Sequence, residues 1–196
     1  MIGEIQIIEG IQNSLSSPWM VAAAVFCARW MIFLLTIPAA ATSYKRRHKA
    51  LRAAAYEAAW SAMLAAVLSL GLGILIGRIR PFVAFPNDVH LLIPPPSASH
   101  GFPSTHASIA FAVAFALLYG DVTIGLVALL MACLVAFGRV ATGVHYPSDV
   151  IGGAVLGLIS FVITSNLLRL LPGNRRAKLT KSKDGPIEAE PHETSF

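Results

Sequence analysis

GRVATGVHYPSDV, residues 138–150, lies between two hydrophobic runs and holds an arginine, a histidine and an aspartate: Arg139, His145 and Asp149. A second polar stretch, PSTHAS, residues 103–108, stands where another hydrophobic run begins. Ionisable side chains beside membrane-like sequence are costly unless they face water or one another. Their presence therefore asks on which side of the apolar segments each stretch lies.

The chain has 196 residues, of which 56% are hydrophobic and only 13% charged. A soluble domain carries roughly 25% charged residues. The composition reads as an all-α integral membrane protein, with one compact bundle and no second folded domain. A span needs about 20 mostly apolar residues. Five are expected, at 19–42, 53–77, 106–119, 122–137 and 150–171. The third and fourth meet at a tight turn, Tyr119-Gly120-Asp121. Residues 1–17 read as an interfacial N-terminal helix, because Ile5, Ile8 and Ile11 recur at helical spacing. The start of the chain lacks a basic region and a cleavage site, so the first span is expected to remain in the protein. The membrane domain is placed at 1–172. The polar stretch 173–196 is expected to be a disordered cytoplasmic tail. Cys27 and Cys133 sit in apolar runs without a metal-binding or redox spacing and read as small core residues.

The net charge of +5 is unevenly placed. Lys45, Arg46, Arg47, Lys49 and Arg52 follow the first span; Arg175, Arg176, Lys178, Lys181 and Lys183 follow the fifth. Four expected spans separate the two clusters, so they share a side, which the positive-inside rule makes cytoplasmic. Such clusters set topology and do not call for a nucleic-acid partner. The loops 78–105 and 138–148 then both face outward. The charge clusters alone thus bring the two polar stretches to one side.

On that outer face are Arg78, Arg80, Ser104, Thr105, His106, Arg139, His145 and Asp149. Arginine forks match phosphate oxygens, and the free N–H groups of a helix start add donors. Ser104 reads as the N-cap of the third span. Two histidines can divide attack and proton transfer between them, and Asp149, four residues beyond His145, can fix its tautomer. The acidic residues are too few and scattered for a metal cage, so neither metal nor cofactor is expected. Charge stabilisation is assigned to arginines and amides. Either histidine alone would more often be an interfacial side chain; the case rests on the set. His90 and His100 read as exposed loop residues. Within the spans, Arg29 and Glu57 are expected to form a structural ion pair, and Gly73/Gly77 and Gly153/Gly157 to be close-packing sites.

Arg80-Pro81, Pro103 to His106, and the R-x5-H-x3-D pattern of Arg139, His145 and Asp149 resemble the three signature motifs of the type 2 phosphatidic acid phosphatase superfamily. The resemblance covers about residues 70–160. The wider phrases RPFVAFPNDVHLLIP, FPSTHAS and GVHYPSDVIGG are most similar to bacterial undecaprenyl-diphosphate phosphatases. It implies a metal-independent hydrolase of the bacterial plasma membrane with an extracytoplasmic site. His145 would be the nucleophile forming a phosphohistidine, Asp149 its orienting group and His106 the general acid. Arg80, Arg139, Ser104 and the amides near Thr105 would hold phosphoryl oxygens. The family's first motif begins with a lysine seven residues before the arginine, where this chain has Gly73; Arg78 is the candidate substitute. Phosphatidylglycerophosphate, phosphatidic acid or a lipid A phosphate are alternative substrates. A non-catalytic lipid-binding or transport protein is the alternative of another class.

Overall fold

The computed structural model describes residues 2–35, 37, 49–96 and 100–170. Among them every regular element is a helix: α1 (Ile2–Ser14), α2 (Pro18–Arg29), α3 (Met31–Leu34), α4 (Lys49–Ile76), α5 (Pro81–Ala84), α6 (Thr105–Gly120), α7 (Val122–Ala141) and α8 (Pro147–Leu170). Three stretches, Arg52–Ala84, Val122–Ala141 and Pro147–Leu170, are long and apolar enough to cross a membrane; Pro18–Arg29 and Thr105–Gly120 are shorter apolar helices. Lys45, Arg46, Arg47 and the expected tail with its basic cluster lie outside the described residues.

The shortest of the expected spans is at the centre. Helix α6 packs against α4, α7 and α8, and Ala107, Ala110, Ala112, Ala114 and Ala116 along it are buried. Alanines let neighbouring backbones approach where no hydrophobic effect drives helices together. The α6–α7 turn falls where the sequence put it. Asp121 caps α7, its side chain accepting from the Ile124 N–H at 3.0 Å, as an N-cap aspartate does.

Gly153 and Gly157 do serve as close-packing positions. A Cβ at Gly157 would stand 2.6 Å from the Ser108 carbonyl oxygen and 2.8 Å from the Ala112 nitrogen, both backbone atoms of α6. Gly157→Ala is therefore expected to cost about 1–3 kcal/mol by overpacking. Gly71→Ala, where nothing lies within 4 Å, should leave stability unchanged. Unfolding midpoints of the two variants in one detergent check this; equal midpoints would dismiss the close approach. Gly73 and Gly77 behave differently from expectation. Gly77 has φ +60, and its N–H donates to the Gly73 carbonyl at 2.9 Å. It ends α4 in the left-handed position that favours glycine.

The expected first span is not one helix. Helix α2 stops at Arg29 and α3 starts at Met31. Here a Cβ on Gly138 of α7 would collide with the backbone of Cys27 and Ala28. The Arg139 guanidinium also donates to the Ala28 carbonyl at 3.4 Å. A helix loses regularity where an outside donor takes one of its carbonyls. The same packing changes the reading of Arg29 and Glu57. Helix α2 packs chiefly on α7, while α4 packs on α6 and α8. Arg29 is exposed, with its guanidinium 6.0 Å from the Trp30 ring centroid, whereas Glu57 is buried.

Helix α1 turns its apolar side toward protein. Ile5 and Ile8 are buried against Val89, Ala107, Val140, Tyr146 and Val150, which places α1 at the end of the bundle where the polar stretches meet.

Candidate active site

The R-x5-H-x3-D spacing is the geometry of one helix ending and another beginning. Arg139 lies in the last turn of α7, which runs to Ala141, four residues past the end of the expected span, which had left Arg139 in a loop. Gly143, with φ +76, reverses the chain. A Cβ there would stand 2.6 Å from the His90 carbonyl oxygen, so glycine is required twice over. His145 follows in the short turn, and Pro147 starts α8, a first-turn position that needs no N–H. Asp149, in that first turn, reaches back to accept from the Tyr146 N–H at 2.9 Å. This is the reciprocal half of a capping box. Asp149 thus serves the helix as well as the site.

Arg80 arrives from the other polar stretch. Pro81 occupies the first position of α5 and holds Arg80 extended, at φ −73 and ψ 153, as a residue before proline must be. The third component is the start of α6. The Ser104 N–H donates to the Asp149 backbone carbonyl at 3.0 Å, tying the starts of α6 and α8 together.

Around His145 these pieces converge. Its Nδ1 lies 2.8 Å from the Gly101 carbonyl oxygen and 3.5 Å from Asp149 Oδ2. A carbonyl only accepts, so Nδ1 carries the hydrogen and Nε2 keeps its lone pair. Nε2 faces Arg80 Nη1 and Arg139 Nη2, each at 3.4 Å. Arg80, Arg139 and His145 are all buried, and Asp149 is fully so. A lone pair held between two guanidiniums is placed to meet an atom whose oxygens those guanidiniums bind. The tautomer-fixing partner expected at Asp149 is in first place a backbone carbonyl. Asp149 is the longer contact because its Oδ2 is taken by Tyr146 and its Oδ1 by Arg78.

A cavity of about 220 Å³ opens over this group. Gly73, Arg80, His100, Thr105, His106, Arg139 and His145 line it, together with Ser69, Leu70, Pro96 and Pro103. Ser104 holds the N-cap position of α6, but its hydroxyl makes no cap bond. Among the described residues that buried hydroxyl has no partner, nor has Arg139 Nε. Buried polar atoms are ordinarily paired, so both suit a polar ligand. A second hollow, about 210 Å³, lies between Trp60, Met63, Leu64 and Val67 of α4 and Thr164, Leu167 and Leu168 of α8. It carries no titratable group and offers no chemistry.

Two expectations change. Arg78 does not line the cavity. Its Nη1 lies 2.6 Å from both Asp149 Oδ1 and Ser148 Oγ, and its Nη2 lies 3.0 Å from Glu4 Oε2. Its charge is engaged by Asp149 and Glu4. His100, read as an exposed loop residue, does line the cavity, and its Cβ would lie 3.5 Å from a Cβ on Gly73. Sequence reasoning also missed Gly101. A glycine between two motifs was the only signal. Its N–H donates to the Arg78 carbonyl at 2.7 Å, and a Cβ there would press on that carbonyl at 3.2 Å and on Asp149 Oδ2 at 3.4 Å.

Burial pushes the His145 pKa down to about 4. The Asp149 hydrogen bond works against the shift, and the charges of Arg139 and Arg80 add to it. A folded imidazole that binds its proton less readily than an unfolded one, at 6.5, makes the protein lose stability as pH falls from 6.5 toward 4. The unprotonated ring meanwhile persists down to that lower value. The acidic limb of kcat/KM is accordingly expected near pH 4 and not near 6.5. A limb at 6.5 assigned to His145 would contradict the buried placement.

Comparison with known proteins gives the family. The PAP2 superfamily profile matches residues 54–171. Over 93 residues the chain is 41% identical to undecaprenyl-diphosphatase BcrC of Bacillus subtilis, a match covering 46% of this chain and 47% of that protein. It thus spans about half the length of that relative. It is 29% identical over 145 residues to the putative undecaprenyl-diphosphatase YbjG of Escherichia coli, covering 74% of this chain and 71% of the other. The crystal structure of Aquifex aeolicus LpxE superposes with a TM-score of 0.63 at 27% identity, over 82% of this chain and 93% of that one. With the profile running from near the start of α4 to the end of α8, and through every residue around His145 except those of α1, the chain belongs to the PAP2 superfamily.

Proposed function

We propose that the chain is a lipid phosphatase that hydrolyses undecaprenyl diphosphate to undecaprenyl phosphate. One observation carries the reading: the His145 Nε2 lone pair stands between the Arg80 and Arg139 guanidiniums on the wall of a cavity that His106 shares. A lipid-binding or transport protein needs the arginines but not a nucleophile whose hydrogen is fixed on the other nitrogen. The choice of lipid rests on the relatives named undecaprenyl-diphosphatase.

The chemistry has two steps. The terminal phosphoryl group enters with its oxygens on Arg80, Arg139 and the free N–H groups at the start of α6. Nε2 attacks phosphorus, and the bond to the bridging oxygen breaks. His106 gives its proton to that oxygen as the lipid monophosphate leaves. A water, losing its proton to His106, then attacks the phosphohistidine; the P–N bond breaks and inorganic phosphate departs. The guanidiniums stabilise charge in both transition states, which assigns no metal to the reaction. The positive-inside rule, applied to the basic clusters of the sequence, supports an orientation with this end of the bundle outside the cytoplasm of a bacterial plasma membrane.

Purified protein in detergent with EDTA should release phosphate from undecaprenyl diphosphate faster than from phosphatidylglycerophosphate, phosphatidic acid or lipid A. Preference for a glycerophospholipid would replace the substrate and keep the chemistry. Release from none of the four would sink the enzymatic reading.

A further inference from the structure

The helix that the sequence put at the membrane surface is wired into the site. Five contacts fix it there besides its buried isoleucines. Gln12 Nε2 donates to the His90 carbonyl at 2.7 Å and to the Ala141 carbonyl at 3.1 Å, and its Oε1 accepts from the His90 N–H at 3.0 Å. At the other end of α1, Glu4 Oε1 accepts the Ser148 N–H at 3.0 Å, satisfying a free donor in the first turn of α8. Glu4 Oε2 meets Arg78 Nη2 at 3.0 Å. Arg78 in turn lies over the Tyr146 ring, 4.2 Å from its centroid, and holds Asp149 Oδ1 at 2.6 Å.

We propose that Glu4 is a positioning residue for His145, acting through Arg78 and Asp149; this rests on the reading of His145 as the nucleophile. The physical case is one of geometry. Asp149 is fully buried, and a buried carboxylate needs every oxygen met. Its Oδ2 is shared between the Tyr146 N–H and the more distant His145 ring. Its Oδ1 depends on Arg78, whose side chain remains 22% exposed. A long, partly solvated arginine has many rotamers, and ordering it costs entropy. Glu4 supplies the second anchor that leaves the guanidinium one orientation, with the Tyr146 ring beneath it. Burial would raise the Glu4 carboxyl pKa, but the Ser148 hydrogen bonds and the Arg78 charge outweigh this and hold it below its usual value. The anchor is thus an anion. It lies outside the cavity, so it acts on the nucleophile and not on the lipid.

Glu4→Gln keeps an acceptor for the Ser148 N–H and removes the charge facing Arg78. It should lower kcat on undecaprenyl diphosphate about tenfold, the scale on which an outer hydrogen-bonding partner tunes the group it orients, with KM unchanged. Glu4→Asp, which keeps the charge, should recover most of the loss. Gln12→Ala loosens α1 without touching Arg78 and should leave kcat near wild type. Unfolding midpoints are taken for all three. A wild-type kcat in Glu4→Gln, beside an inactive His145→Ala, overturns the proposal and leaves the reading of the nucleophile intact. Equal losses in Glu4→Gln, Glu4→Asp and Gln12→Ala that follow their midpoints also overturn it, since α1 is then only a brace. Full activity in His145→Ala overturns the reading, and this proposal with it.

Discussion

His145→Ala is expected to lower phosphate release by about 10⁴-fold or more, the scale on which removal of a catalytic nucleophile acts. The ring contributes more than a nitrogen at the right place. Its hydrogen is held at Nδ1 by the Gly101 carbonyl, and its lone pair is aimed between two guanidiniums 3.4 Å away. Alanine leaves those cations facing each other with no group to attack phosphorus, so binding should survive while turnover does not. A second measurement makes the result specific to covalent catalysis. Brief incubation with substrate labelled in the terminal phosphate should leave label on the wild-type protein, stable in alkali and lost in acid, as an N–P bond is. His145→Ala should carry none. A labelled His145→Ala protein would place the covalent step on another residue.

Arg139→Ala should lower kcat by about 10²–10³-fold, because a preorganised donor aimed at developing charge is worth that much in a buried site. Arg139→Lys should recover little of it. The guanidinium reaches the Ala28 carbonyl with Nη1 and the His145 side with Nη2, and its Nε has no partner among the described residues. An ammonium is a point charge on a flexible stem and cannot serve two directions from one planar fork. The double duty also predicts a structural effect. Losing the contact to Ala28 frees the point where α2 meets Gly138, so the unfolding midpoint should fall in both variants. Steady-state kinetics beside thermal unfolding separates the two roles. Wild-type kcat in Arg139→Lys would show that charge alone suffices.

The sequence was most informative where helix and motif follow one rule. The apolar runs located α4, α6, α7 and α8 to within a few residues, and the positive-inside argument brought residues 78–105 and 138–148 to one end. His106, Arg139, His145 and Arg80 line one cavity. What escaped involves backbone or long-range pairing. No side-chain pattern could announce that Gly101 offers its carbonyl to His145, for the acceptor is common to every residue. The reach of Arg78 toward Asp149 and Glu4 instead of the place of Gly73 depends on α1 docking 74 positions away in the chain. Hydropathy reads an amphipathic α1 as lipid-facing because isoleucine is the same signal for lipid and for protein. The interruption at Trp30 follows from Gly138 and Arg139 on another helix, and nothing within residues 19–42 marks it.

The Gly101 carbonyl has a practical consequence for anyone mapping this protein by mutagenesis. An alanine scan would credit Asp149 with orienting the imidazole, since that carboxylate can be deleted and the carbonyl cannot. The shorter contact belongs to an atom that survives every side-chain replacement. Its contribution is accessible only to chemistry that edits the main chain, such as an ester in place of the peptide bond after Gly101, which weakens the carbonyl as an acceptor and leaves every side chain in place.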